Sequence, residues 1–385
     1  MDKKVQPRLV SILLALLILA PGMGYTKTAE DALLLDLKKF QWEILNSETV
    51  PCPSFKCHLT WGAVSIAIGD VGGYARRVKK KGMSEYAKLT RINQNFDKVE
   101  NLELLAPAMP IRFSDRFTIP FENSFPVGRA DAKNFGVDSR IFIKIFVNDN
   151  ETNVIFDSGA TLTLPGGSQA AESLDLHNIA TKNTSGLGKV EENLLATAKN
   201  VSVGAVSINN LMVKKKEGLP LGDINAVGLL GYDLLLRFDK VTVDFKKKTI
   251  KFNPESVGDS HCAPMEMALD KNWLPAGLTV DILLDNVPFK ARIDTGANVD
   301  VAVHGKNIMS SKTAKPSPVF AIDSGGNASP LEEFDSNVSL NRDVTKHKVL
   351  RSPFTHDDFQ VTLGVKFFAG RSFTFDFRNQ RFCLD

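Results

Sequence analysis

At 385 residues the chain is too long for one small core and fits two domains plus an extension. Its composition is that of a globular protein, 43% apolar and 24% charged, which excludes a low-complexity or disordered chain. A formal charge of +3 is close to balance and argues for neither a nucleic-acid binder nor a membrane-surface binder, so function has to be read from motifs.

Residues 1–24 read as a signal peptide. Lys3, Lys4 and Arg8 precede an apolar run from Leu9 to Ala20, and Gly22 and Gly24 supply small residues for cleavage. The run is shorter than the ~20 apolar residues of a membrane span, so a cleaved signal is preferred and an uncleaved anchor is the alternative. Either places the bulk of the protein outside the cytoplasm: secreted, periplasmic or lumenal. Four cysteines suit that compartment. They allow three pairings among which sequence does not choose; Cys52–Cys57 with Cys262–Cys383 is the expected one. C-x₄-C occurs once without paired histidines, so no metal site is expected.

Residues 25–127 form an N-terminal extension. Leu33, Leu37, Phe40 and Ile44 recur at helical spacing within Ala29 to Asn46, and Tyr86, Leu89, Phe96, Val99 and Leu102 do so within Ser84 to Leu104. Two helices are therefore expected there. Arg76 to Lys81 is a basic run read as a solvated loop, and Pro107 to Lys133 reads as a connector without clear period.

From Asp138 the texture changes to short β-type runs. Arg140 to Val147 is strand-like, followed by the turn Asn148-Asp149-Asn150 and a second run from Asn153 to Phe156. The same grammar returns at Leu278 to Leu284, the turn Asp285-Asn286, and Phe289 to Ile293. Each hairpin runs into a signature: Asp157-Ser158-Gly159-Ala160 in one, Asp294-Thr295-Gly296-Ala297 in the other. Leu229-Leu230-Gly231 and Thr362-Leu363-Gly364 follow at nearly equal distances. Then come Val241 to Phe245 and Phe373 to Phe377, each with a charged turn and a closing strand behind it. An ordered set of features repeated at this spacing points to internal duplication, with halves at 128–257 and 258–385. Asp323-Ser324-Gly325 is a third copy of the short signature, but it lacks the alanine and the preceding hairpin, and reads as a turn.

Residues 138–385 resemble the retropepsin-type aspartic proteases, fused in tandem as in the bilobal pepsin-like enzymes. The resemblance implies a mainly β fold of two related barrel lobes, here preceded by the helical extension. It implies that Asp157 and Asp294 are a catalytic pair, and that Ser158 and Thr295 hydrogen-bond across the junction between halves. Two carboxylates so close cannot both ionise easily, and their apparent pKa values separate. The ionised member takes a proton from water and the protonated member donates to the peptide carbonyl, without metal or cofactor. Gly159 and Gly296 let the backbone turn beside the carboxylates. Pepsin-like enzymes carry a hydroxyl residue where Ala160 and Ala297 stand, so the expected pH optimum is mildly acidic rather than strongly acidic.

A flap covers the cleft in such lobes, and the candidate tips are Gly186-Leu187-Gly188 and Gly325-Gly326. The sequence departs from the pattern at Thr362, where an aliphatic residue is usual, which leaves a hydroxyl to satisfy. The extension matches nothing in the resemblance: a prosegment, a permanent accessory domain and a partner-binding module all fit. No H-E-x-x-H, G-x-S-x-G or P-loop is present, and the six histidines read as surface or structural residues. The leading expectation is a monomeric endopeptidase acting on peptide or unfolded protein, with no nucleic-acid partner. The rival is an inactive peptide-binding module of the same fold.

Overall fold

The computed structural model describes residues 35–40, 92–93, 112–123, 140–166, 172–186, 189–217, 227–256, 261–269, 275–322, 328–341, 343–356 and 359–385. Among them the chain is mainly β. The first half contains β1 (Ile92–Asn93), β2 (Phe117–Pro120), β3 (Phe142–Val147), β4 (Asn150–Phe156), β5 (Thr163–Gly166), β6 (His177–Gly186), β7 (Lys189–Val203), β8 (Val206–Glu217), β9 (Val227–Leu230), the helical turn α1 (Tyr232–Leu235), β10 (Lys240–Asp244) and β11 (Thr249–Phe252). The second half contains β12 (Cys262–Leu269), β13 (Pro275–Leu284), β14 (Val287–Asp294), β15 (Val301–His304), β16 (Lys315–Ile322), β17 (Ala328–Leu340), β18 (Asp343–Ser352), β19 (Val361–Gly364), α2 (Val365–Phe368), β20 (Ser372–Asp376) and β21 (Arg381–Leu384).

Alternation decides which side of each strand is buried. In β3, Ile143, Ile145 and Val147 point inward while Lys144 and Phe146 face solvent. The hairpin turns are set by residues that tolerate positive φ: Asn148 and Asp149 (49° and 67°) between β3 and β4, Asp285 and Asn286 (45° and 70°) between β13 and β14. Each turn is tied to a neighbouring strand in the same manner. Asn148 Oδ1 accepts from the Asn200 N–H at 2.9 Å, and Asp285 Oδ1 accepts from the Asn337 N–H at 2.9 Å.

In the first half, β7, β3, β4, β9, β5 and β8 lie side by side and β8 pairs back onto β7, closing a six-stranded barrel. The second half pairs its strands in the same cyclic order, β17, β13, β14, β19, β15 and β18, with β13 meeting β17 at Leu283↔Ser339 and Leu284↔Val338. The parallel pairs match as well: β4 with β9 and β14 with β19, β5 with β8 and β15 with β18. The halves join through a shared sheet ordered β2-β11-β10-β20-β21-β12. At its centre β10 and β20 run antiparallel with Thr242 opposite Thr374, their hydroxyls 2.8 Å apart. On either side of that pair Val241 faces Phe375 and Val243 faces Phe373, as a local twofold requires.

Phenylalanine fills the space behind this sheet. Phe238 packs on Phe252 and Phe113 on the first-half side, and Phe368, Phe373, Phe375 and Phe382 interlock on the other. With 25 Phe and only 4 Tyr in the chain, these cores gain area without adding hydroxyls that need partners.

The N-terminal extension differs from expectation. Residues 35–38 are helical, within the helix expected at 29–46, and Leu37 among them and Phe40 just after them are fully buried, Phe40 edge-on to Phe377. The helix expected over 84–104 is not continuous. Ile92 and Asn93 are extended and pair antiparallel with β6 at Lys182 and Thr181. Apolar spacing cannot distinguish the two states when a free strand edge is available, and here edge pairing wins over periodicity. The stretch read as a connector supplies β2, which pairs with β11 through Phe117↔Phe252 and Ile119↔Ile250. The signal segment and Cys52 and Cys57 lie outside the described residues. No helix among the described residues is long and apolar enough to cross a membrane.

Cys262 and Cys383 form a disulfide between directly paired positions of β12 and β21, closing a separation of 121 residues. Replacing both with serine is expected to cost about 2–5 kcal/mol, as for native disulfides generally, read from denaturant unfolding under non-reducing conditions.

Candidate functional site

Asp157 directly follows β4 and Asp294 ends β14, each where a strand passes into a tight loop. The Asp157 N–H donates to Leu230 O at 2.9 Å, the last step of the parallel pairing with β9. Beyond it the loop wraps the glycine that follows: Ala160 O accepts from Tyr232 N at 2.8 Å in the first half, and Ala297 O from Val365 N at 2.9 Å in the second. A Cβ on Gly231 would overlap Ala160 O and the Thr161 backbone, and one on Gly364 would overlap Ala297 O and Val299 O. The repeated Leu-Gly is therefore the place where one strand passes inside a loop with no room for a side chain.

The two loops meet tip to tip. The Ser158 N–H donates to Thr295 Oγ1 at 3.0 Å, and the Thr295 N–H donates to Ser158 Oγ at 3.2 Å. Each hydroxyl then donates onward across the junction, Ser158 Oγ to Ile293 O at 2.9 Å and Thr295 Oγ1 to Phe156 O at 2.7 Å. Both side chains are completely buried. Each hydroxyl and each backbone N–H of this pair is used, and each bond links residues from different halves. A small hydroxyl residue is required because it alone accepts from one backbone group and donates to another within this space.

Asp157 and Asp294 are brought together by that junction and keep a small opening, at 7% and 8% exposure. A Cβ on Gly159 would overlap the Asp294 carboxyl, and one on Gly296 would overlap the Asp157 carboxyl, so each glycine floor lies under the opposite acid. Gly159 N donates to Asp157 Oδ1 at 2.9 Å, and Ala297 N donates to Asp294 Oδ1 at 3.0 Å. The Asp157 carboxyl is pushed up to about 7, first by burial and then by the neighbouring Asp294 charge and hydrogen bond. The Gly159 N–H and the charge of Arg292 oppose that rise.

Arg292 is the residue that sequence reasoning missed. Two positions before Asp294 on the same strand face, it reaches Asp294 Oδ2 with Nη2 at 2.5 Å. Its guanidinium also lies over the Phe359 ring, 4.6 Å from the centroid. Beside it Thr362, paired with Arg292 across β14 and β19, is 3% exposed, and its hydroxyl meets His304 Nε2 at 2.8 Å. The hydroxyl that the sequence left unaccounted is thus satisfied. The signal that points to Arg292 is the duplication itself: the matching first-half position is Ile155, paired with Leu229.

No family model matches the chain, and no curated protein matches it.

Of the candidate flap residues, Gly186 ends β6 opposite Lys189 of β7, at the end of a long antiparallel pair. Gly188, Gly325 and Gly326 lie outside the described residues, as does Asp323-Ser324-Gly325. The strands flanking 323–327, β16 and β17, pair at Ile322↔Ala328. Asp244 and Asp376, which also recur between halves, have turn-holding roles. Asp244 Oδ1 accepts from Lys247 N at 3.0 Å, and Asp376 Oδ1 accepts from Asn379 N at 3.1 Å. Among the described residues no three His, Cys, Asp or Glu side chains converge as a metal site would need.

Thr295→Ala is expected to cost about 1–3 kcal/mol in urea unfolding, because Ser158 N and Phe156 O lose a buried partner together. The acid pair also has a pH signature. Between about pH 4 and 7 the folded chain holds the Asp157 proton that an unfolded chain has released, so stability falls as pH rises through that window. Asp157→Asn is therefore expected to raise Tm relative to the wild type at pH 8, with the difference shrinking toward pH 4, in parallel thermal scans.

Proposed function

We propose that the chain is an aspartic endopeptidase of bilobal, retropepsin-like architecture, hydrolysing peptide bonds with a water activated by Asp157 and Asp294. The observation that carries this reading is the convergence of two nearly buried carboxyls on one junction, each lying on the glycine of the opposite loop. It is supported by the matched strand order of the two halves and the reciprocal hydroxyl bonds between them.

The chemistry follows from one proton shared by two acids. The ionised carboxylate removes a proton from water as its oxygen adds to the peptide carbonyl carbon. The protonated carboxyl gives its proton to the carbonyl oxygen, leaving a neutral tetrahedral diol. Collapse of the diol breaks the C–N bond: the carboxyl that took the water proton gives it to the leaving nitrogen, a diol hydroxyl releases its proton to the other carboxylate, and the pair again holds one proton. Asp157, pushed up to about 7, keeps such a proton through the mildly acidic range and loses it above neutrality. Activity is therefore expected to be highest on the acidic side of pH 7. The hairpins β6–β7 and β16–β17 are the elements from which covering flaps would be built.

An unbiased peptide library read by mass spectrometry tests the proposal. Cleavage by the wild type, with a loss of at least about 10³-fold in kcat/KM for Asp157→Asn and for Asp294→Asn, is the expected result. Binding of library peptides without cleavage at any pH from 3 to 8 would instead identify a peptide-binding module.

A further inference from the structure

The two halves repeat each other closely around the acid pair, yet one face of the second half is chemically unlike its counterpart. Where the first half has Ile155 paired with Leu229, the second has Arg292 paired with Thr362. Alternation along β14 sends the Arg292 side chain to the same face as Asp294, and the guanidinium meets Asp294 Oδ2. Phe359 supports the guanidinium from one side, and Gly277 of β13, at φ 124°, leaves space for the arm: a Cβ there would come within 3.0 Å of Arg292 Cδ. The first half places no arginine at the matching position, where the strand that leads to Asp157 has Ile155. An asymmetric charge beside a symmetric pair removes its degeneracy.

We propose that Arg292 is the positioning residue that divides labour within the pair, fixing the negative charge on Asp294 as general base and the proton on Asp157 as general acid. This rests on the hydrolytic reading above. The other ionisable groups around it do not substitute for that charge. His304 of β15 is held down to about 3 by burial and by the charges of His356 and Arg292, so it stays neutral across the working range. Lys290, further back on β14, directs its amine to Glu266 of β12 at 3.2 Å and Asp281 of β13 at 3.6 Å. His356, following β18, sets its ring edge-on to that of His304, with centroids 4.7 Å apart. Among the described groups, Arg292 alone brings a fixed positive charge into contact with the pair. Burial and the Asp294 charge raise Asp157 against the opposing pull of the Arg292 charge, and the direct contact of the guanidinium is with Asp294 Oδ2.

A guanidinium at this place lowers the pH at which the pair first ionises, extending the active singly protonated form toward acid. In Arg292→Met both limbs of the kcat/KM–pH profile are expected to move upward by about one to three units, the effect typical of removing a contacting opposite charge. Arg292→Lys, which keeps the charge, is expected to hold both limbs close to the wild type while reducing kcat. A purely structural role would lower the maximum and leave the limbs in place, and that result overturns the proposal. So would an equal shift in the lysine variant.

A second measurement needs neither a substrate nor a variant at Arg292. Carboxyl-carbon NMR of the full chain labelled at aspartate, assigned with Asp157→Asn and Asp294→Asn, should show the neutral-range titration on Asp157. Assignment of that titration to Asp294 rejects the division of labour. Absence of any Asp157-dependent cleavage by the wild type rejects the hydrolytic reading and with it the catalytic division of labour, and the NMR titration then decides only which acid of the pair holds the proton. Cleavage with unmoved limbs in Arg292→Met rejects the role and leaves the hydrolytic reading standing.

Discussion

Two acids held side by side out of water are the constraint to which the surrounding architecture answers. A buried carboxylate is costly unless hydrogen-bonded, and a second one beside it raises the cost. The chain meets this with backbone N–H groups aimed at each acid, Gly159 N on Asp157 and Ala297 N on Asp294. Those donors are in position only because the loops are locked to each other through Ser158 and Thr295. The loops are fixed in turn by strands passing inside them at Gly231 and Gly364, which their parallel pairings with β4 and β14 deliver. Registration of the two halves is set one layer further out, where Thr242 faces Thr374.

Much of this was legible in the chain because the constraints are local and occur twice. The turns at Asn148-Asp149 and Asp285-Asn286 announce themselves by residue type, since their positive φ values suit few others. Leu-Gly after a fixed interval marks a strand that must lose its side chain at one point. The pairing of Cys262 with Cys383 was one of three arrangements that sequence allowed, and register between β12 and β21 selects it. What escaped sequence reading depends on contacts distant along the chain. Phe117 to Pro120 carries too little pattern to read as a strand, and only the open edge of β11 makes it one. Ile92 and Asn93 sit in a helical apolar spacing and were taken by an edge instead. Arg292 had the right spacing from Asp294 but belongs to no signature, and its meaning appears only against Ile155.

Duplication of the backbone has not enforced duplication of the chemistry. The residues that hold the loops together remain matched, because both halves must meet at one junction. Positions one step away have diverged. After the glycine in the first half, Asp233 is buried and accepts from Leu162 N with both oxygens, at 2.8 and 3.0 Å; burial pushes it up to about 7. The matching position in the second half is Lys366, at the start of α2, where no such acceptor is supplied. The first half thus braces its loop with an acid, whereas the second sets Arg292 against Asp294.

The central sheet is clasped on one flank only. Cys262 and Cys383 bond across β12 and β21, while the corresponding places on the other flank, Thr118 and Lys251 across β2 and β11, have no covalent link. Peeling of the sheet is therefore easier from the β2 side, where Phe117 would come away from its stack on Phe252. The carboxyl end stays stitched to its neighbour even when the amino-terminal flank lifts. A molecule built this way has a preferred direction of unravelling, and the segment ahead of the first barrel, rather than the tail, is the thread by which it comes undone.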